Sequence, residues 1–143
     1  MTNPPSSEPI GLHVARVAKS LNRAFEAALA DAGGSLPAWL ILLSLKSGRW
    51  GTQRELAEAI GIRGATLTHH LDGLERDGLV SRRRDPANRR VQVVELTAAG
   101  DRLFERLRHA AVEFDARLRE GLDDRELERL RDLLGRLGAN VDD

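Results

Sequence analysis

The chain has 143 residues, of which 41% are hydrophobic and only 3% are aromatic, and its formal net charge is zero. This length and apolar content suit one globular domain, and a core built mainly from aliphatic side chains favours packed helices over a sandwich of strands. The absence of cysteine excludes disulfides, thiol catalysis and cysteine-based redox sensing.

The first nine residues predict a flexible tail and not a targeting segment. Three of the five prolines lie in residues 1–9, which contain neither a basic region nor an apolar run. No later stretch approaches the roughly 18 consecutive apolar residues that span a bilayer. The sequence therefore predicts a cytoplasmic protein with no membrane partner.

A long amphipathic helix is predicted after the tail. Apolar residues recur every three or four positions from Ile10 to Ala28, and a pair of glycines then ends the pattern. Ser35 occupies an N-cap position before LPAWLILLSLK, which is apolar almost all round and predicts a central helix. Trp39 in this helix is interpreted as a core residue, with the wall of a small-molecule cavity as the alternative.

Two short helices joined by a tight turn come next. Thr52 and Glu55 have the spacing of a capping box, and Gly61 closes the helix that they open. The turn GIRGA leads into a second helix over about residues 65–77, whose leucines share one side. This arrangement predicts a helix-turn-helix, with the side opposite the leucines free to meet a partner.

A small basic hairpin is predicted after Gly78. Its first strand begins at Leu79-Val80-Ser81. In the returning strand, Val91, Val93 and Leu96 alternate with Gln92, Val94 and Glu95. Five arginines and only one acid lie between positions 82 and 90, so a locally basic segment stands on a neutral chain. Such a hairpin is typical of the wing of a winged helix-turn-helix.

The C-terminal part predicts two more amphipathic helices. Thr97 caps the first, Gly121 breaks it, and Asp123 with Glu126 opens the second, which carries a stripe of leucines. Because long helices at both ends need burial beyond the central unit, we expect them to pack against a second copy.

The predicted fold class is mainly α with a small β-hairpin wing. Residues 10–34 and 98–143 are the expected dimerisation helices, residues 35–97 the DNA-binding lobe, and the whole is one structural domain.

The predicted partner is double-stranded DNA. A two-fold dimer presents two recognition helices and suits a pseudo-palindromic site with half-sites on the order of 34 Å apart. Thr68, His69 and Arg76 are the candidates for base or phosphate contacts on the outer face of the second helix. Further contacts to phosphates or to the minor groove are expected from Gln53, Arg54, Arg63, Gly64, Thr66, Arg84, Arg89 and Arg90. The alternative is a solvated surface whose arginines pair with acids of the protein.

This order of elements resembles the MarR family of transcription regulators over about residues 10–138. The most specific parts are GLVSRRRDPANRRVQVVELTAAG and its spacing from Gln53. The resemblance implies a homodimer with intertwined terminal helices that represses transcription and is released by a small aromatic or phenolic ligand. One departure lies at the wing tip, where Asn88 replaces the usual Asp and can offer only a neutral hydrogen bond; Asp85 is the other residue that can hold a wing arginine.

Other functions are less well supported by the residues. A ligand pocket is expected among the first, second and fifth helices, with His13, Arg16 and Trp39 as candidates, and the alternative is that these are core and surface residues. No metal site and no cofactor are predicted, since His69 and His70 point about 100 degrees apart on a helix. No phosphate loop, nucleophile elbow or zinc motif indicates an enzyme. The rival function is a winged-helix dimer that acts as a protein-interaction module without binding DNA.

Overall fold

The computed structural model describes residues 8–48 and 52–142. Its elements in chain order are α1 (Ile10–Asp31), α2 (Leu36–Lys46), α3 (Gln53–Ile60), α4 (Gly64–Arg76), β1 (Val80–Arg84), β2 (Gln92–Leu96), α5 (Ala98–Arg119) and α6 (Asp124–Ala139). The predicted fold class, mainly α with a small hairpin, is confirmed. The predicted tail lies outside the described residues except for its last two, and Pro9 is the N-cap of α1.

The chain forms two compact units, one up to Ala111 and one from Val112 onward. Within the described residues, no single helix is long and apolar enough to cross a membrane. Only α1 and α2 taken together pass that test, and they are bent by 75°.

Local capping residues set the helix boundaries. The Ser35 side chain accepts a hydrogen bond from the backbone N–H of Ala38, and the Thr52 hydroxyl accepts one from the N–H of Glu55. Such caps satisfy backbone donors that have no partner inside the helix. At α6 the capping box is complete in both directions between Asp123 and its partner three residues later. These contacts confirm the predicted starts of α2, α3 and α6.

Helix α2 is central to the first unit, as its all-round apolar sequence predicts. Ile41 and Leu42 are fully buried, and Trp39 is buried with its ring stacked on that of Phe104 of α5 at 5.6 Å between centroids. Because stacked rings and aliphatic side chains fill this space together, Trp39 belongs to the core. The rest of the core consists of Leu29, Ala38, Leu56, Ala57, Leu67, Leu71, Leu74, Val80, Val94, Leu103 and Leu107.

The wing is a two-stranded antiparallel sheet in which Val80 lies opposite Leu96 and Arg82 lies opposite Val94. The predicted alternation, which separated Val94 from Leu96, is wrong. Residues two apart on a strand share a face, so Val94 and Leu96 lie on the same side, and Val94 is the buried residue of β2. An isolated bridge between Thr52 and Val93 joins the start of α3 to this sheet.

Both terminal regions expose apolar stripes. In α1, Ile10, Leu12 and Val17 are exposed, and the whole helix buries only Leu29. In α6 none of the described residues is buried. Its leucines at positions 130, 133, 134 and 137 are 38% to 47% exposed. Exposed apolar stripes of this kind are surfaces that a partner molecule can cover.

Candidate nucleic-acid interface

Thr68 of α4 forms a side-chain hydrogen bond with Gln53 of α3. The Gln53 amide donates to the Thr68 hydroxyl at 2.6 Å, and that hydroxyl donates to the backbone carbonyl of Gly64 at 2.9 Å. A hydroxyl has one proton to donate, so Thr68 in this arrangement can only accept a hydrogen bond from a partner. Gln53 and Thr68, predicted as separate contacts, are therefore held together as a pair.

The outward face of α4 carries His69 and Arg76. Both are exposed, and neither forms an ion pair with any described residue, although three acids lie close to Arg76 in sequence. Beside them is a cleft lined also by Ser35 and the half-buried His70. The face that sequence periodicity left free is accordingly open to a partner. The Arg76 guanidinium has no ion-pair partner among the described residues, and the His69 ring lies 5.7 Å from the ring of His70.

The N-terminus of α4 is uncapped by side chains. Arg63 is the N-cap residue with no side-chain hydrogen bond to the first turn, and Gly64 and Thr66 are exposed. Backbone N–H groups at such an end, together with the helix dipole, favour an anion. Arg54 on α3 is also exposed and pairs weakly with Glu58, at 3.5 Å.

Arg82 joins the wing to α4 and was not among the predicted site residues. Its guanidinium contacts the carboxylates of Asp72 at 2.5 Å and Glu75 at 3.1 Å, and its backbone N–H donates to Glu75 at 3.0 Å. The side chain of Arg82 is only 18% exposed. Hydrogen bonds from Arg82 hold the pKa of Glu75 below its ordinary value, and the same contacts raise the pKa of Arg82.

The position of Arg82 on β1 indicates that its side chain needs an acidic partner. It shares a face with the buried Val80 and Val94, where an arginine needs a partner to satisfy its charge.

The remaining wing arginines divide into paired and unpaired groups. Arg83 pairs with Glu95 at 2.9 Å, and Arg84 donates to the backbone carbonyl of Arg89. The side chains of Arg89 and Arg90 are exposed and form no ion pair with the described part of the chain. The alternative in which the wing arginines pair with acids therefore holds for Arg82 and Arg83 but not for the tip.

Hydrogen bonds to the backbone organise the wing tip. The Asn88 side-chain oxygen accepts from the N–H of Arg90 at 3.2 Å, and an Asp85 carboxylate oxygen accepts from the N–H of Ala87 at 2.9 Å. Turns of this kind need only a side-chain acceptor and not a full charge. Within the described residues neither Asn88 nor Asp85 holds an arginine side chain.

The three ligand candidates lie in different environments. His13 and Arg16 are exposed on α1, where Arg16 pairs with Glu8 at 3.4 Å, whereas Trp39 is in the core against Phe104. Among the described residues, no hydrogen bond, ion pair or ring contact joins Trp39 to His13 or Arg16. Across residues 8–48 and 52–142, no group of three or more His, Asp or Glu side chains is placed to hold a metal ion.

Comparison with known proteins identifies similar chains along nearly the whole length. Residues 35–91 match the model of the MarR family. The transcriptional regulator PA3341 is 33% identical, with a TM-score of 0.74, over 93% of this chain and 98% of that one.

Two structures of one repressor are also similar. The transcriptional repressor CouR bound to a 23-mer DNA duplex is 26% identical, with a TM-score of 0.82, over 96% of this chain and 98% of that one. CouR from Rhodococcus jostii RHA1 bound to p-coumaroyl-CoA is 28% identical, with a TM-score of 0.72, over 90% of each chain.

Proposed function

Because this chain belongs to the MarR family of DNA-binding transcription regulators, we propose that it binds a pseudo-palindromic operator as a homodimer and represses transcription from it. In this proposal α4 enters the major groove and the wing follows the backbone into the adjacent minor groove. The DNA-bound structure of CouR supports the first part of the proposal.

The observation that carries the proposal is the free positive charge at two separate places in the lobe. Arg76 on the outer face of α4 and Arg89 and Arg90 at the wing tip have no acidic partner among the described residues. Phosphate neutralisation by such groups supplies most of the sequence-independent affinity for DNA. A protein-interaction module has no such need for unpaired arginines on both the recognition helix and the wing.

The experiment is selection from a library of random duplexes by the purified protein, followed by binding of the recovered sequence at several salt concentrations. We expect a two-fold symmetric consensus with half-sites about 10 base pairs apart, and affinity that falls steeply with salt. Recovery of no consensus, with no salt-sensitive binding to any duplex, would overturn DNA binding and favour the interaction module.

We further propose that a small aromatic or phenolic effector releases the protein from its operator. The complex of CouR with p-coumaroyl-CoA supports an effector of aromatic acid origin. The test is titration of the protein–operator complex with a panel of aromatic acids, phenols and their thioesters. An effector must bind the free protein more tightly than the DNA-bound protein, by the same factor that it weakens operator binding. If none of them changes operator affinity, this class of effector is excluded.

A further inference from the structure

Two acidic side chains lie on one side of α4, the helix proposed to enter the major groove. Their repulsion from DNA phosphates should weaken binding. Asp72 and Glu75 of α4 are each a little under half exposed, at 48% and 41% of their side chains. Negative charges near a phosphate backbone oppose binding, so an acid on this helix needs a reason to be there. The contacts of Arg82 provide one.

We propose that Asp72, Glu75 and Arg82 form a latch that fixes the wing against α4, so that the two acids are positioning residues for DNA binding. The inference rests on the proposed function, because it concerns how two DNA-contacting parts are held in register. None of the three side chains is assigned a contact with DNA.

The latch reaches both the side chain and the backbone of β1. Glu75 accepts from the Arg82 guanidinium with one carboxylate oxygen and from the Arg82 backbone N–H with the other, while Asp72 holds the same guanidinium from one turn earlier. Two contacts from one carboxylate to one residue restrict both the distance and the direction of the strand relative to the helix. The Arg82 side chain is partly buried while the two acids remain exposed, so the restraint comes from the number and direction of the hydrogen bonds more than from the strength of the ion pairs.

The wing tip depends on this anchor. Arg89 and Arg90 lie at the far end of the hairpin, beyond β1, and the described hydrogen bonds at the tip are all short-range, around Asp85 and Asn88 and from the Arg84 side chain to the Arg89 carbonyl. A small rotation at the base of a hairpin moves its tip by several ångströms. Arg82 lies in the middle of β1, so its contacts with α4, together with the bridge from Thr52 to Val93, set the direction in which the tip arginines extend while α4 is in the major groove.

The test is the substitution Glu75→Gln, which removes a negative charge and changes the side chain little in size. Simple electrostatics predicts tighter DNA binding. The latch predicts the opposite: binding of the selected consensus duplex weaker by roughly 3- to 10-fold. The salt slope falls by about 1 although no arginine was removed, because the wing no longer holds its phosphates. Arg89→Ala then costs less in the Glu75→Gln background than in the wild type.

Two further variants keep the test decisive. Asp72→Asn removes a single contact to Arg82 and should show the same signs with a smaller effect, even where Glu75→Gln is poorly folded by circular dichroism. Asp77→Asn is the matched control, since this exposed acid at the C-cap of α4 makes no contact with Arg82. It should leave binding unchanged or tighter.

The outcomes separate the latch from the proposed function. If the wild type binds the consensus duplex but Glu75→Gln and Asp72→Asn bind as tightly or more tightly with an unchanged salt slope, the latch is overturned and DNA binding stands. If the wild type itself binds no duplex in a salt-dependent manner, the proposed function fails.

Discussion

The side chains of the DNA-binding lobe differ in how many hydrogen-bond donors and acceptors remain available to a partner. The Thr68 hydroxyl donates its hydrogen bond to the Gly64 carbonyl and accepts one from the Gln53 amide. The polar groups of His69 and Arg76 have no hydrogen-bond or ion-pair partner among the described residues. Discrimination between bases requires a donor or acceptor with unused capacity that faces the groove. We therefore expect His69 to contribute more to specificity than Thr68, which acts mainly by joining α3 to α4.

The first prediction concerns His69. His69→Ala should reduce the free-energy preference for the operator over random DNA by about 1–3 kcal/mol, because base contacts are lost only at the specific site. The measurement is competition binding with the consensus duplex and a random duplex of equal length. His13→Ala is the control, since this histidine is exposed on α1 outside the helix-turn-helix, and it should leave the preference unchanged. Equal weakening on both duplexes would assign His69 to the backbone.

Arg89 should contribute affinity without specificity. Arg89→Ala is expected to weaken binding to all sequences and to lower the slope of log affinity against log salt by about 1, since one phosphate is no longer neutralised. Titrations at four or more salt concentrations measure this slope. Arg106→Ala removes the same charge from α5, where the guanidinium faces the Ala32 carbonyl, and should leave the slope as it is. An unchanged slope for Arg89→Ala removes it from the contact surface.

At the scale of elements, local signals predicted the helices and long-range packing decided the rest. The starts of α2, α3 and α6 follow from a cap and a donor three residues apart, so the sequence contains the whole interaction. The face of β2 depends on its register with β1, and a shift of one residue exchanges the two faces. The pairing of Arg82 with α4 likewise depends on how the hairpin folds back on the helix.

Gly100 shows such long-range packing at the start of α5. A Cβ atom at this position would lie 2.0 Å from the backbone carbonyl oxygen of Leu79. The turn cannot simply move away, because Thr97 is hydrogen-bonded through its backbone N–H to that oxygen and through its hydroxyl to the carbonyl of Gly78 at 2.7 Å. The first turn of α5 is thereby pressed against the chain that leads into the wing.

We predict that Gly100→Ala destabilises the protein by at least about 1–3 kcal/mol, the usual range for overpacking. The matched control is Gly135→Ala in α6, where a Cβ meets nothing within 4 Å. It should stabilise by up to about 1 kcal/mol through helix propensity. Urea unfolding at one fixed protein concentration measures both. A gain in stability for Gly100→Ala would show that the Leu79 carbonyl can move out of the way.

For the whole molecule, the exposed apolar stripes are the main feature that one chain leaves unexplained. The leucines of α6 and the apolar residues of α1 recur at helical spacing, which is the pattern of a face that packs and not of scattered surface residues. A second copy supplies an equivalent surface by two-fold symmetry, and the same symmetry matches a pseudo-palindromic operator. Dimerisation and recognition of a two-fold site are therefore one proposal with two measurable consequences.

Leu134→Glu tests both consequences in one variant. Each dimer carries the substitution twice, and each lost leucine burial is worth about 1.5–3 kcal/mol, so the dimer dissociation constant should rise by about 100-fold or more. Sedimentation equilibrium measures that constant, and binding to a palindromic duplex should fall toward binding to a single half-site. Arg125→Gln changes the net charge equally on the opposite face of α6 and should remain dimeric. A Leu134→Glu protein that stays dimeric and still prefers the palindrome would place the dimer interface elsewhere.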